Sequence, residues 1–178
     1  TVAIGKSALV ALTSGRGNVA VGYQSLLVED DGDKCTAVGY QTLTAQTGIS
    51  GAVENTAVGY TAGVAINTGI KNSLFGSECG DAITTGDFNT AVGKSALGSD
   101  QTGNKSVAIG SECMYAQAIS GDNISANTGV GYQAAYRNVT GTENTYIGYL
   151  AGKGASGQSN SNNTGVGSNA LLSVTTGG

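Results

Sequence analysis

Apolar and polar residues alternate in a short segment that returns ten times along the chain. One copy is "NTAVG" at residues 55–59, and in every copy the residue before the glycine is apolar. Two residues further back stands mostly Thr or Val, and the residue between these two is mostly Ala or Gly. Alternation with a period of two, together with β-branched residues, is typical of a β-strand. The pattern therefore predicts ten short strands, each followed at once by a glycine.

These ten glycines, which we call the core glycines, are spaced almost evenly. Successive intervals are 17, 17, 20, 17, 17, 17, 21, 17 and 19 residues, and a second glycine follows each core glycine by 9 to 11 residues. A fixed period with small insertions is the signature of a solenoid. We therefore predict an all-β parallel β-solenoid (a β-roll or β-helix) of about ten 17-residue coils, a single repeat array over residues 1–178. The core glycines are Gly5, Gly22, Gly39, Gly59, Gly76, Gly93, Gly110, Gly131, Gly148 and Gly167.

The two faces of each predicted strand differ in bulk. One face carries Thr or Val and then Val or Ile, whereas the other carries mostly Ala or Gly. We expect the bulkier face to fill the coil interior. The face of small residues would let a second copy of the chain approach closely. The predicted interior residues, beginning with Ile4, are Val21, Val38, Val58, Phe75, Val92, Ile109, Val130, Ile147 and Val166.

An asparagine recurs four residues before the core glycine in seven of the ten segments. Stacked at about 4.8 Å, such residues can form a ladder of amide hydrogen bonds that closes one corner of the coil. Each coil offers its interior only a few apolar side chains, so we also expect further burial between chains. The asparagines are Asn18, Asn55, Asn72, Asn89, Asn127, Asn144 and Asn163.

Composition and charge narrow the classes of function. Gly accounts for 30 of 178 residues, charged residues for 11%, and the net charge is −4. Low charge with abundant Gly fits disorder, but 39% apolar residues at fixed intervals favour an ordered repeat. Without a Lys/Arg cluster or an apolar run of membrane-spanning length, we expect no nucleic-acid partner and no membrane insertion.

The chain has few of the residue types and pairings on which catalytic sites depend. It has no His, which rules out a Ser-His-Asp triad and the ordinary proton shuttle near neutral pH. Glu78 and Glu112 share a repeat position but lie two coils apart, roughly 9.6 Å, and no two carboxylates pair as a glycosidase requires. We expect no enzymatic activity, no catalytic residue and no cofactor. Three Cys argue against a disulfide framework and favour assembly in a reducing compartment.

Two groups of side chains are candidates for binding. A tyrosine follows five core glycines and would form an aromatic stripe, which serves either as a sugar-binding platform or as a structural ladder. The carboxylates of "EDDGDK" at residues 29–34 suit Ca²⁺, but their spacing matches no known calcium loop, and we predict a solvated turn and no metal site. The candidate glycan contacts are Tyr23, Tyr40, Tyr60, Tyr132 and Tyr149, with Tyr115 from an irregular stretch.

Four irregular stretches interrupt the period, at residues 28–34, 46–54, 115–126 and 153–162. Insertions in a solenoid are extruded as loops that often gather on one face. Tyr115, Met114 and the "GASGQSNSNN" loop at 154–163 are therefore either receptor contacts or neutral variation in surface loops.

Segments of the form "NTAVGYxAL", followed by "TG", resemble the repeats of phage tail-fibre and other virion proteins. "TVAIG" at 1–5 and "SVAIG" at 106–110 are similar to the head repeats of trimeric autotransporter adhesins, although the period here is longer. The resemblance covers essentially the whole chain. It implies a homotrimeric fibre, located in a virion tail fibre or at a cell surface, that binds host or cell-surface glycans. The chain opens inside a strand and ends in "TTGG", so we expect a segment of a longer fibre.

A second hypothesis comes from the threonines of the strands. Ice-binding solenoids carry Thr in ladders on a flat strand face. Here only one Thr per coil is present, and Val2, Val19 and Val107 replace it in three coils. An ice-binding β-solenoid therefore remains the alternative to an adhesive fibre.

Overall fold

The computed structural model describes residues 1–47, 50–121, 124–155 and 159–175, and over these residues the chain is an all-β parallel solenoid with no helix. Ten strands of three residues form the main sheet, and two strands of two residues form a small second sheet. The strands are β1 Val2–Ile4, β2 Val19–Val21, β3 Gly32–Asp33, β4 Thr36–Val38, β5 Gly51–Ala52, β6 Thr56–Val58, β7 Ser73–Phe75, β8 Thr90–Val92, β9 Val107–Ile109, β10 Thr128–Val130, β11 Thr145–Ile147 and β12 Thr164–Val166.

Equivalent residues of successive coils lie beside one another. The main sheet runs in the order β1-β2-β4-β6-β7-β8-β9-β10-β11-β12, and every neighbouring pair is parallel. Val38, for example, pairs with Val21 on one side and with Val58 on the other. The predicted strands and their register are confirmed, and the ten strands delimit nine turns of solenoid.

The face of the strand that points into the coil is the opposite of the one predicted. The middle residue of each main strand from β2 onward is buried, and it is usually Ala. The prediction that the residue before the core glycine fills the interior was wrong: Val21, Val38, Val58 and Val130 are only half-buried, and Phe75, Val92, Ile109, Ile147 and Val166 are exposed, as is Ile4.

The physical reason for this inversion is the narrowness of the coil. The turn after each core glycine sends its own side chains inward, and Leu26, Leu43 and Leu97 are fully buried there. A strand residue that faces a leucine across so narrow a coil must itself be small. The Ala/Gly face therefore lies inside the coil, and the predicted contact of that face with a second chain is wrong as well.

The core glycines form a ladder that no other residue fits. All ten have φ between +122° and +145°, a conformation that side chains with a Cβ rarely adopt. A Cβ on Gly59 would also collide with the carbonyl oxygen of Gly76 in the next coil. Backbone conformation and close stacking together explain why glycine returns at this position in every coil.

The predicted asparagine ladder is present at the corner before seven of the ten main strands. The backbone N–H of Asn72 donates to Oδ1 of Asn55 at 2.8 Å, and Nδ2 of Asn55 donates to the carbonyl of Gly69 at 2.7 Å. The N–H of Asn89 donates in the same way to Oδ1 of Asn72. Because these amides are buried, the bonds satisfy polar groups that would otherwise destabilise the corner.

Candidate functional site

The outward side chains of the main strands form a continuous surface, which we call the sheet face. It consists of the first and third residues of the ten strands of the main sheet. The third residue is apolar in every strand, and Phe75, Val92 and Ile109 are examples that lie exposed. The first residue is threonine in six strands, from Thr36 to Thr164. The sheet face is therefore a column of apolar side chains beside a column rich in hydroxyl groups.

A third column lies beside the sheet face, one residue after each core glycine, and we call it the tyrosine column. The ring of Tyr40 stacks on Tyr23 with centroids 5.1 Å apart and on Tyr60 with centroids 5.4 Å apart. Tyr132 and Tyr149 form a second stack with centroids 5.7 Å apart. The structure thus brings five of the six predicted tyrosines into one column, as two separate ladders. Within a ladder the ring faces cover one another.

Three coils without tyrosine separate the two stacks, and we call this segment the tyrosine gap. Its residues in the column are Ser77, Lys94 and Ser111. Backbone hydrogen bonds fix their register: the N–H of Glu78 donates to the carbonyl of Tyr60 at 2.8 Å, and the same bond joins each following coil. Ser77 therefore lies beside Tyr60. By the same register Ser111 lies beside Tyr132.

Tyr115 belongs to a different flank of the solenoid. It stands five residues after its core glycine and stacks on Tyr136 with centroids 5.6 Å apart. Its ring packs over Gly98, where a Cβ would come within 2.9 Å, and Nζ of Lys153 lies 5.9 Å from the Tyr136 ring. The sequence analysis missed Tyr136, although its position relative to the core glycine is the same as that of Tyr115.

The acidic stretch at residues 29–34 is not the solvated turn that we predicted. Glu29 is fully buried: its Oε1 accepts from the N–H of Gly32 at 2.7 Å and its Oε2 accepts from Nε2 of Gln46 at 2.5 Å. Ligand atoms of Glu29, Asp30 and Asp31 come within 4.8 Å of one another. Because both Glu29 oxygens already accept hydrogen bonds inside the coil, this carboxylate has a structural role.

A second buried carboxylate repeats this arrangement 71 residues later. Oδ2 of Asp100 accepts from Nε2 of Gln117 at 2.5 Å, and Oδ1 accepts from the N–H groups of Gly103 and Ile119. Burial raises the pKa of Asp100 above its usual value, and these hydrogen bonds partly offset the effect. Glu29 and Asp100 both stand seven residues after a core glycine, so their equivalence was present in the sequence and was missed.

The cysteines pack inside the coil, as predicted. All three are buried and free, and burial raises the pKa of the Cys79 and Cys113 thiols to about 12. A thiol with so high a pKa is protonated at neutral pH and is a poor nucleophile or metal ligand.

Described residues of three irregular stretches, 32–33, 51–52 and 124, lie at the corner where the chain approaches the asparagine ladder. At that corner β3 pairs with β5, and Asn104 forms a bridge with Ile124. Shallow clefts flank the inserted segment at 118–121, one of them lined by Thr140, Thr142 and Ile119. The proposed receptor loop "GASGQSNSNN" includes residues 156–158, which lie outside the described residues.

Over the described part of the chain, no helix is both long enough and apolar enough to cross a membrane. Comparison of the chain with protein-family models, with curated proteins and with solved structures finds no match.

Proposed function

We propose that the chain is a non-enzymatic structural and adhesive segment of a fibre, in a virion tail or at a cell surface. Three copies associate along the solenoid axis, and the assembly displays a surface that binds host or cell-surface glycans. The observation that carries the proposal is the sheet face, with its uninterrupted apolar column along ten strands.

The apolar column runs along the whole main sheet. Nine steps of about 4.8 Å give a length on the order of 43 Å. A contiguous apolar surface of this extent is typical of an interface between chains. Every copy has the same spacing along the axis, so apolar side chains of neighbouring copies meet at each coil. This surface replaces the Ala/Gly face as the proposed site of self-association.

The buried carboxylates support a structural role over a catalytic one. Glu29 and Asp100, the two most deeply buried acidic groups among the residues that the structure describes, are held by glutamine side chains and by backbone N–H groups inside the coil. Both side chains are buried, so a substrate in solvent has no contact with either carboxylate. A fibre segment needs this rigidity and needs no reactive group.

A charge on the sheet face tests the proposed association. We expect Ile109→Asp to give a monomer in sedimentation equilibrium while the parent chain is a trimer, because three carboxylates would face one another in an apolar interface. Val10→Asp is the matched control, since Val10 is 67% exposed and lies on another flank. A trimer that tolerates Ile109→Asp would contradict the assignment of the sheet face.

Threonine on the sheet face does not distinguish this proposal from ice binding. Thermal hysteresis does, because only a protein that adsorbs to ice depresses the freezing point below the melting point. We expect no thermal hysteresis in dilute solutions of the chain, and a clear hysteresis gap would favour the ice-binding alternative.

A further inference from the structure

We infer that the tyrosine gap is a binding site for a short neutral oligosaccharide, with sugar rings stacked on the free faces of Tyr60 and Tyr132. The inference rests on the glycan-binding part of the proposed function and assigns that binding to one place on the solenoid.

A ligand can reach only some of the tyrosine ring faces, because stacking covers the others. Inside each ladder the ring faces cover one another, so only the end rings have a face without a partner ring. The two end rings beside the gap are both exposed, Tyr60 by 54% and Tyr132 by 45%. The neighbour of Tyr60 on its open side is Ser77, whose side chain is too short to cover an aromatic ring.

The two ends of the gap have the same local sequence. "GSEC" occurs at residues 76–79 beside Tyr60 and again at residues 110–113 beside Tyr132. Each end therefore combines one free tyrosine face, one serine hydroxyl and one glutamate. Pyranose rings have apolar faces that pack on aromatic rings and hydroxyl edges that need hydrogen-bond partners, so each end suits one sugar unit.

The glutamates supply acceptors whose positions are already fixed. Oε2 of Glu78 accepts from Oγ of Ser95 at 3.1 Å, and Oε2 of Glu112 accepts from Nε2 of Gln133 at 2.7 Å. The second oxygen of each carboxylate has no hydrogen-bond donor among the residues that the structure describes. Because these side chains are already held in place, they lose little conformational freedom when a sugar hydroxyl donates to them.

The charges of the gap favour a neutral ligand. Lys94 is exposed at its centre and forms no ion pair with any described residue, so its ammonium group is free to donate to sugar hydroxyls. The two glutamates outnumber this single cation, and the chain as a whole carries a net charge of −4. An acidic sugar would therefore be repelled.

The dimensions of the gap suit more than one sugar unit. Tyr60 and Tyr132 are separated by four coil steps, about 19 Å at about 4.8 Å per step. The gap also lies beside the sheet face and not within it, so the proposed association of chains leaves it at the edge of the interface.

Titration calorimetry and saturation-transfer NMR test the inference on the full chain. The probes are short neutral gluco-, galacto- and manno-oligosaccharides, with uronic-acid oligosaccharides as the charged comparison. We expect a neutral probe to bind and Tyr60→Ala or Tyr132→Ala to weaken it by about tenfold or more, the usual effect of losing an aromatic anchor. Tyr23→Ala, at the far end of its ladder, is the control and should change affinity by less than about twofold.

A variant that keeps both tyrosine rings provides a second test. Ser77→Tyr would continue the ladder and cover the free face of Tyr60, so it should abolish binding of the same probe without lowering the melting temperature. Binding that is insensitive to Tyr60, Tyr132 and Ser77, or stronger binding of the uronic-acid probes, would overturn the inference. So would a native mass that changes in Tyr60→Ala, because a second copy of the chain would then occupy the gap.

The outcome for this site is separable from the outcome for the fibre. A trimer that binds none of the neutral probes would overturn the sugar site and leave the structural role of the chain intact. A monomer that binds the probes through Tyr60 and Tyr132 would support the sugar site and overturn the proposed self-association.

Discussion

Two positions of each coil face the interior of the solenoid: the middle residue of the strand and the fourth residue after the core glycine. Where one of them is large, the other is usually small. Where the middle residue of the strand is Ala, as in Ala20 or Ala91, the fourth residue after the core glycine is usually a leucine. Where the middle residue is Leu74 or Tyr146, that fourth residue is Gly80 or Gly152. A Cβ on Gly152 would collide with the Tyr146 ring, so in this coil the large residue at one position requires glycine at the other.

The pairing of large with small residues predicts the effect of truncating Leu74. The side chain is fully buried, and it packs against Gly63 of the preceding coil and Gly80 of its own coil, neither of which has a side chain to fill the space that it leaves. We expect Leu74→Ala to lower the free energy of unfolding by about 2–5 kcal/mol, measured by urea denaturation. Val10→Ala, at a side chain that is 67% exposed and lies off the sheet face, is the control and should cost less than about 1 kcal/mol.

A pair of aspartate substitutions tests which face of the strand is inside. Ala57→Asp places a carboxylate in the dry interior and should lower the free energy of unfolding by more than about 4 kcal/mol. Val58→Asp, one residue later, points outward and should leave the fold of the single chain nearly as stable as before. The reverse order of the two melting temperatures would restore the face assignment that the sequence suggested.

Alternation along a strand identifies its two faces but not which one is buried. The sequence predicted the strands, the core glycines and the asparagine ladder because each depends on local spacing. It failed on Val58 and its equivalents because burial depends on the width of the coil, which the leucines of the following turn determine. It failed on Glu29 because an acidic stretch ordinarily lies in solvent, and here a glutamine of the next coil buries it.

Among the structural elements, the asparagine ladder connects successive coils through buried side chains. Asn72 accepts from the N–H of Asn89 and donates to the carbonyl of Gly86, and both bonds are buried. We expect Asn72→Leu to cost about 2–4 kcal/mol, because several buried polar groups lose their partners at once. Hydrogen exchange should accelerate in the coils that contain Asn55 and Asn89, whereas Asn67→Ala, an exposed control, should leave exchange there unchanged.

The corners where a coil carries an insertion are a second kind of element. Two of these corners have the same set of hydrogen-bonded residues. In each, a buried carboxylate accepts from a glutamine, and the glutamine carbonyl accepts from a ladder asparagine: Gln46 with Asn55, and Gln117 with Asn127. The ladder asparagine of that coil is replaced by Cys35 or Ser106, which contacts the same glutamine nitrogen. The glutamine thus compensates for the missing asparagine where the coil is longer.

The raised pKa of Asp100 predicts how this corner responds to pH. The folded state favours the protonated acid, so the stability that Asp100 contributes is complete below its ordinary pKa of 3.8 and declines as the pH rises through the raised value. The difference in unfolding free energy between the parent chain and Asp100→Asn should therefore fall as the pH rises above 3.8. Urea midpoints across a pH series measure it, and a difference that grows with pH would contradict the assignment.

The whole molecule is a rod of nine turns on which each flank has its own chemistry. The sheet face is apolar along its third residues, the tyrosine column beside it is aromatic with one polar gap, and described residues of the insertions at 32–33, 51–52 and 124 lie at another corner. We propose that self-association uses the first surface and glycan binding uses the second. The fold itself was predictable from the period of 17 residues, whereas these surfaces became distinguishable only once the inward side of each strand was known.

Native mass spectrometry of the unmodified chain tests the association of copies most directly. The account predicts a dominant species of three times 17.5 kDa at micromolar concentration. A stable monomer, with the apolar column of the sheet face left in solvent, would contradict it.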